Sequence, residues 1–89
     1  MITMQPLVID TRSSEPSYRQ LARLLREAVE SGEIAPDELL PSLTRIVQET
    51  GLSLGTVQQG IKLLVSEGFA YTVPGRGTFA ARPPEGREG

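Results

Sequence analysis

The sequence predicts a mainly α domain of three helices closed by a small β-hairpin, and three observations lead there. Apolar residues recur at three- and four-residue steps in three separate stretches before Gly68. Glycines and prolines fall between those stretches rather than inside them, with Gly55 and Gly60 as the exceptions. After Gly68 the period changes to a short aromatic and β-branched run, a turn, and a second short run.

Taken in order, Tyr18, Leu21, Ala22, Leu25, Ala28 and Val29 share one face of a first helix spanning about residues 15–31. Pro16 suits its first helical position, where a missing N–H costs nothing, and Gly32 supplies a stop. Ahead of it, Leu7, Val8 and Ile9 either pair as a strand or lean on the core. Between Glu33 and Pro41 two prolines break any helical period, so Leu39 and Leu40 form only a short extended stretch. Ser42 then stands as an N-cap, and Leu43, Ile46, Val47 and Thr50 give a short second helix ending at Gly51. Ser53 is a second N-cap, and Val57, Ile61, Leu64 and Val65 form the buried stripe of a third helix, about residues 53–67. Residues 69–73 and 78–81 read as two strands around the Pro74-Gly75-Arg76-Gly77 turn. The resulting division is an N-terminal arm over 1–13, a domain over 14–81, and a disordered tail or linker over 82–89, where no apolar residue is available for docking.

Composition removes several function classes. The chain has 89 residues, so one core is the ceiling. It has no cysteine and no histidine, which excludes zinc sites, Cys or His nucleophiles, imidazole relays and disulfides. No apolar run approaches the ~20 residues of a membrane span, and the first residues lack the pattern of a signal peptide. A cytoplasmic protein without cofactor, metal or catalytic constellation is expected. The formal charge of -2 argues, at first sight, against a nucleic-acid partner.

Helix, short strand, helix, turn, helix, hairpin is the order of a winged helix-turn-helix, in which the third helix projects its polar face into a major groove about 12 Å wide. The segments that carry the pattern are Pro16 to Ala22, Glu30 to Pro36, Leu40-Pro41-Ser42, Gly51-Leu52-Ser53 with Thr56-Val57, Glu67-Gly68, and Gly75-Arg76-Gly77-Thr78-Phe79. Six such pieces in order resemble the GntR family of bacterial transcription regulators over roughly residues 14–81. The resemblance implies a sequence-specific domain that binds double-stranded DNA as a homodimer. Most members carry a C-terminal effector domain; none of ordinary size fits here, so the chain is expected to be either a minimal regulator or an N-terminal piece of a longer one. Three departures stand out. Thr44 occupies a position two residues after the Ser of the Leu-Pro-Ser motif where the family usually has arginine, and Leu54 and Gln58 occupy the usual arginine positions flanking Thr-Val. The fold therefore carries over more securely than the DNA contacts.

On the third helix, Leu54, Gly55, Gln58, Gln59 and Lys62 lie away from the buried stripe. Gln can pair with N6 and N7 of adenine, Leu54 can touch a thymine methyl, and Lys62 can neutralise a phosphate; an ordinary solvated helix face is the bland alternative. Gly60 is expected to permit close packing of the second helix on the third, and Gly55 to permit approach to the DNA backbone. Ser42 and Ser53 are caps first, each able to meet a phosphate beside the free N–H groups of its helix; Thr44 and Thr56 share those first turns. Arg45 sits about 100° around the helix from the expected arginine and reads equally as a phosphate contact or a solvated side chain. Arg76, between glycines that let the backbone come close, is the foremost wing contact, with Gly77 and Thr78 beside it.

Charge is segregated along the chain. Glu27, Glu30, Glu33, Asp37 and Glu38 fall within 27–38, whereas residues 39–81 hold Arg45, Lys62 and Arg76 against Glu49 and Glu67, a net +1. Arg19, Arg23 and Arg26 form a stripe beside the buried face of the first helix. Two functions fit: a DNA-binding regulator reading an operator through the third helix and wing, or a protein-interaction winged helix that lost cationic readout and uses the acidic segment 27–38 for a partner.

Overall fold

The computed structural model describes residues 7–82. Residues 1–6 and 83–89, and with them much of the predicted arm and nearly all of the predicted tail, lie outside the described residues.

The apolar face predicted for the first helix is buried in α1 (Ser17–Ser31), through Leu21, Ala22, Leu25, Ala28 and Val29. The helix begins two residues later than its periodicity predicts. Pro16 has ψ 145°, so it stands as the N-cap rather than at the first helical position, and its carbonyl accepts from the Arg19 and Gln20 amides. Glu15 precedes Pro16, whose ring disfavours helical backbone at the residue before it, and Gln20 ties down the entry segment. The buried Gln20 carboxamide donates to the Asp10 and Glu15 carbonyls, both at 2.8 Å, and accepts from the Asp10 N–H at 2.9 Å. Leu7 is buried and Ile9 half-buried against the core, so this segment leans on the core without forming a strand among the described residues.

α2 (Leu43–Thr50) and α3 (Leu54–Ser66) open on matching caps. Ser42 Oγ accepts from the Arg45 N–H at 3.1 Å and Ser53 Oγ from the Thr56 N–H at 3.2 Å, each satisfying a donor that has no partner within its helix. Ile46 of α2, Val57 and Leu64 of α3, and Leu21 and Leu25 of α1 are fully enclosed, each contributing roughly 1.5–3 kcal/mol by burial. Gly60 lies in the buried arc of α3, where an added Cβ would stand 3.0 Å from Leu21 Cδ2 and 3.0 Å from the Tyr18 carbonyl oxygen. Its close approach is therefore to α1. The expectation that Gly60 serves α2 is corrected: the first turns of α1 lie directly over it.

β1 (Ala70–Val73) and β2 (Gly77–Ala80) pair antiparallel, from Ala70 opposite Ala80 to Val73 opposite Gly77. Both strands sit one residue from their predicted starts. Phe69 still belongs to the helix exit, its N–H bonding the Leu64 carbonyl at 3.2 Å, and Gly77 pairs instead of remaining in the turn. Pro74 and Gly75, the latter at φ 78°, fill the two central positions of a type II turn closed by the Arg76 N–H on the Val73 carbonyl at 3.0 Å. The extended stretch predicted at Leu39 and Leu40 docks on the other edge of β2. Leu39 bridges Phe79, the Leu40 N–H bonds the Thr78 carbonyl at 2.9 Å, and the Ala80 N–H bonds the Glu38 carbonyl at 2.8 Å. The hairpin is thus anchored along its β2 edge by residues 37–40.

Candidate nucleic-acid interface

At 100° per residue, Val57, Gly60, Ile61 and Leu64 occupy one arc of α3, and Leu54, Gly55, Gln58, Gln59 and Lys62 fall together on the opposite side within about 140°. The first set is buried and the second exposed. Leu54 is 50% exposed, an unusual placement for a large apolar side chain at a helix start. Gly55 faces open space, with nothing within 4 Å of where a Cβ would lie. Among the described residues neither the Gln58 nor the Gln59 carboxamide has an intramolecular hydrogen-bond partner, and no carboxylate pairs with Lys62. Thr56 is half-buried, and its hydroxyl accepts from Ser53 Oγ at 3.0 Å.

α2 brings Ser42, Thr44 and Arg45 to the surface. Arg45 is engaged: its Nε donates to Glu49 Oε2 at 2.9 Å, one turn along the same helix. The spacing of these two residues in the sequence already allows that pair, which the sequence reading passed over.

In the wing, Arg76 and Gly77 are exposed, and Thr78 is half-buried with its hydroxyl 3.4 Å from that of Thr72. An added Cβ at Gly77 would stand 3.0 Å from Leu39 Cδ1, so the glycine lets the residue 38–40 segment close on the wing. Tyr71 stacks on Phe79 with ring centroids 5.7 Å apart, and its hydroxyl donates to Asp37 Oδ1 at 2.7 Å. That bond to Asp37, together with burial, raises the Tyr71 pKa above its ordinary value. Asp37 itself has φ 68°, a left-handed conformation that Asp tolerates better than most side chains. This brace ties residues 34 positions apart and was not anticipated from the sequence.

A cleft of about 370 Å³ joins these parts, with Ser42 and Leu43 of the α2 start, Ile61 of α3, and Arg76, Gly77 and Thr78 of the wing on its walls. The start of α2 and the wing turn therefore flank α3 on the side of Ile61, three residues beyond Gln58. Of the predicted contact residues, the structure brings Ser42, Arg76, Gly77 and Thr78 to this cleft; Leu54, Gly55, Gln58, Gln59 and Lys62 form the adjoining helix face.

The acids near this surface are turned elsewhere. Glu67, at the end of α3, pairs with Arg26 of α1 at 3.7 Å, and the Arg26 guanidinium lies 5.8 Å from the centroid of the Phe69 ring. Arg23 pairs with Glu15 at 2.9 Å and Glu27 at 3.9 Å, and the hydrogen bond to Glu15 raises its pKa further. Within 27–38, Glu38 Oε1 accepts from the Ala35 N–H and Asp37 from Tyr71. Among the described residues no group of three His, Cys, Asp or Glu could hold a metal ion, and no helix is long and apolar enough to cross a membrane.

Known proteins share this arrangement. The HTH-type transcriptional repressor NagR of Bacillus subtilis is 39% identical over 75 residues, 84% of this chain and 31% of NagR. The arabinose metabolism transcriptional repressor of Geobacillus stearothermophilus is 38% identical over 68 residues, 76% of this chain and 19% of that protein. The chain thus spans a third or less of these relatives. Among solved structures, YtrA from Sulfolobus acidocaldarius, a GntR-family transcription factor, superposes with a TM-score of 0.80 at 30% identity, covering 94% of this chain and 87% of YtrA. AraR(DBD) in complex with operator ORE1 gives a TM-score of 0.74 at 33% identity, covering 82% and 89%. The three helices and hairpin are those of the winged helix domains of such proteins. Residues 17–80 match the family described as bacterial regulatory proteins, gntR family, and the chain belongs to that family.

Proposed function

We propose that residues 14–81 are the DNA-reading domain of a sequence-specific transcription regulator, with α3 in the major groove of double-stranded DNA and the wing, about residues 69–81, on the backbone or in the minor groove. The observation that carries this reading is the exposed arc of α3, where the Gln58, Gln59 and Lys62 side chains have no intramolecular partners among the described residues while the helix is braced behind by α1 and α2. A helix about 10–12 Å across fits a groove about 12 Å wide. Gly55 adds no bulk where the helix start meets DNA. Ser42, Thr44 and Arg45 of α2 then face the backbone, as do Ser53 and Thr56 at the start of α3, and Arg76, Gly77 and Thr78 extend the contact from the wing.

The operator complexes of AraR and the repressor names of the relatives support the same assignment. Because one copy presents few free cations, we expect a homodimer on an inverted repeat, acting in the cytoplasm where bacterial DNA lies. The regulatory family gives no reason to assign a catalytic step. Selection of bound duplexes from random DNA with the 89-residue chain tests the reading. An enriched inverted repeat is the expected result. No enrichment even at low salt would overturn it and leave the protein-interaction role, through the acidic segment 27–38, as the better account.

A further inference from the structure

We infer that the base pairs under the first half of α3 are A·T pairs, with thymine methyls met by Leu54 and adenine edges read by Gln58 or Gln59. The inference rests on the proposed DNA reading and deepens it by naming the class of half-site. Guanine offers two acceptors in the major groove, O6 and N7, and is matched by a cation with two donors; adenine offers one acceptor and one donor, matched by a carboxamide; thymine offers a methyl group.

The exposed arc of α3 holds carboxamides and an apolar side chain, and no arginine. Leu54 and Gln58 are one turn apart on the same side of the helix, about 6 Å along its axis, so an apolar contact and a carboxamide fall within about two base-pair steps of each other. Both carboxamides are free of intramolecular bonds among the described residues. A carboxamide set against guanine leaves its carbonyl without a donor, which is a cost in a desolvated groove.

The cations nearby are placed for other work. Lys62 lies eight residues beyond Leu54, about 12 Å along the axis, past the helix start that meets base edges and level with the backbone. Arg45 is on α2, held by Glu49 at 2.9 Å. Arg76 is on the wing. The half-exposed Leu54, which has no role in the core, gains a partner in the methyl-lined groove of an A·T site.

The test begins with selection from random duplexes and continues with base analogues in the selected site. A·T pairs at the fixed positions are expected. Replacing the contacted thymine by uracil removes only its methyl group and should weaken binding about fourfold, whereas the Leu54→Ala variant should bind both duplexes equally. Gln58→Ala should lower affinity by about 5- to 100-fold, and Gln58→Arg should move the preferred base toward guanine. A selected half-site with G·C pairs at the fixed positions, or uracil tolerated at every thymine, would overturn the inference and leave DNA binding standing. No selected site at all would overturn both.

Discussion

Gly60→Ala and Gly55→Ala make the same chemical change on the same helix and should move stability in opposite directions. In a helix interior, alanine is favoured over glycine by about 1 kcal/mol. Gly55 lies in the first turn of α3 and nothing lies within 4 Å of the new methyl, so the change gains up to about that much. At Gly60 the methyl would stand 3.0 Å from Leu21 Cδ2 and 3.0 Å from the Tyr18 carbonyl oxygen. Carbon atoms pack best at about 3.5–4.0 Å, so Leu21 or the α1 backbone must give by a few tenths of an ångström. Leu21 is fully buried, and the oxygen belongs to α1 backbone, so neither can yield cheaply. Overpacking of this kind costs about 1–3 kcal/mol. The net loss at Gly60 is then about 1 kcal/mol, and the two variants should differ by about 1–2 kcal/mol. Thermal unfolding followed by circular dichroism should place Gly55→Ala above the parent chain by up to about 4–8 °C and Gly60→Ala about 4–8 °C below it. Equal stabilisation of both would show that α1 and α3 do not meet as closely at Gly60 as the structure has them.

Three further outcomes follow from the geometry. Arg76→Ala should leave the unfolding midpoint unchanged, weaken DNA binding across sequences, and reduce the slope of log K against log salt by about 1, read by titration at several salt concentrations. Gln20→Ala should cost about 1–3 kcal/mol in urea unfolding, because the Asp10 N–H and the Glu15 carbonyl lose their partner and the Asp10 carbonyl keeps only the Ser13 N–H. The Tyr71 hydroxyl gives a pH dependence of definite sign. Its folded pKa is raised, so its stabilising contribution is whole below the ordinary value of 10.0 and is lost as pH climbs through the folded value. Asp37→Asn removes the negative charge and should reduce that alkaline loss and bring one tyrosine's titration, followed by ultraviolet absorbance, to lower pH; an unchanged titration would show that the Tyr71–Asp37 bond does not form in solution.

Local features of this fold are written locally in the chain. The Ser42 and Ser53 caps, the Gly75 turn and the buried stripes of all three helices depend on residues within four positions of one another, and sequence periodicity finds them. What it misses joins distant segments. Gln20 looks like a solvated polar residue at the margin of an apolar stripe until residues 10–15 fold back onto it. Leu39 and Leu40 read as a short extended stretch, but nothing near them in the chain names β2 as the strand they pair with. Gly60 shows in the sequence that something packs closely, but only the crossing of α1 over α3 says what. The exposed arc of α3 was legible because angular position follows from spacing alone. The Tyr71–Asp37 brace, which sets how the wing meets the core, was not, because nothing near either residue marks the other.

The ion pairs decide how this surface can use DNA. A net charge of -2 spread evenly would repel a polyanion, but Glu15 and Glu27 face Arg23, Glu67 faces Arg26, and Glu49 faces Arg45. The carboxylate at the end of α3 is thereby compensated from behind, and Lys62 and Arg76 remain without carboxylate partners among the described residues. The Arg45–Glu49 pair is exposed, so exchanging the carboxylate for a phosphate costs less than about 1 kcal/mol. Two or three phosphates neutralised per copy give a salt slope of about -2 to -3, a loss of roughly 10- to 40-fold between 50 and 200 mM salt, against a thousandfold or more for proteins with many phosphate contacts. Non-specific affinity is correspondingly small, so discrimination must come from base contacts. A few base contacts, each worth about 1–3 kcal/mol, do not by themselves hold one small domain on a site. Joining two copies makes the second binding event intramolecular and adds the phosphate and base terms of both. The weak cationic character of the domain is thus a physical reason to expect an inverted repeat and a paired protein, with sequence preference steeper than general attraction to DNA.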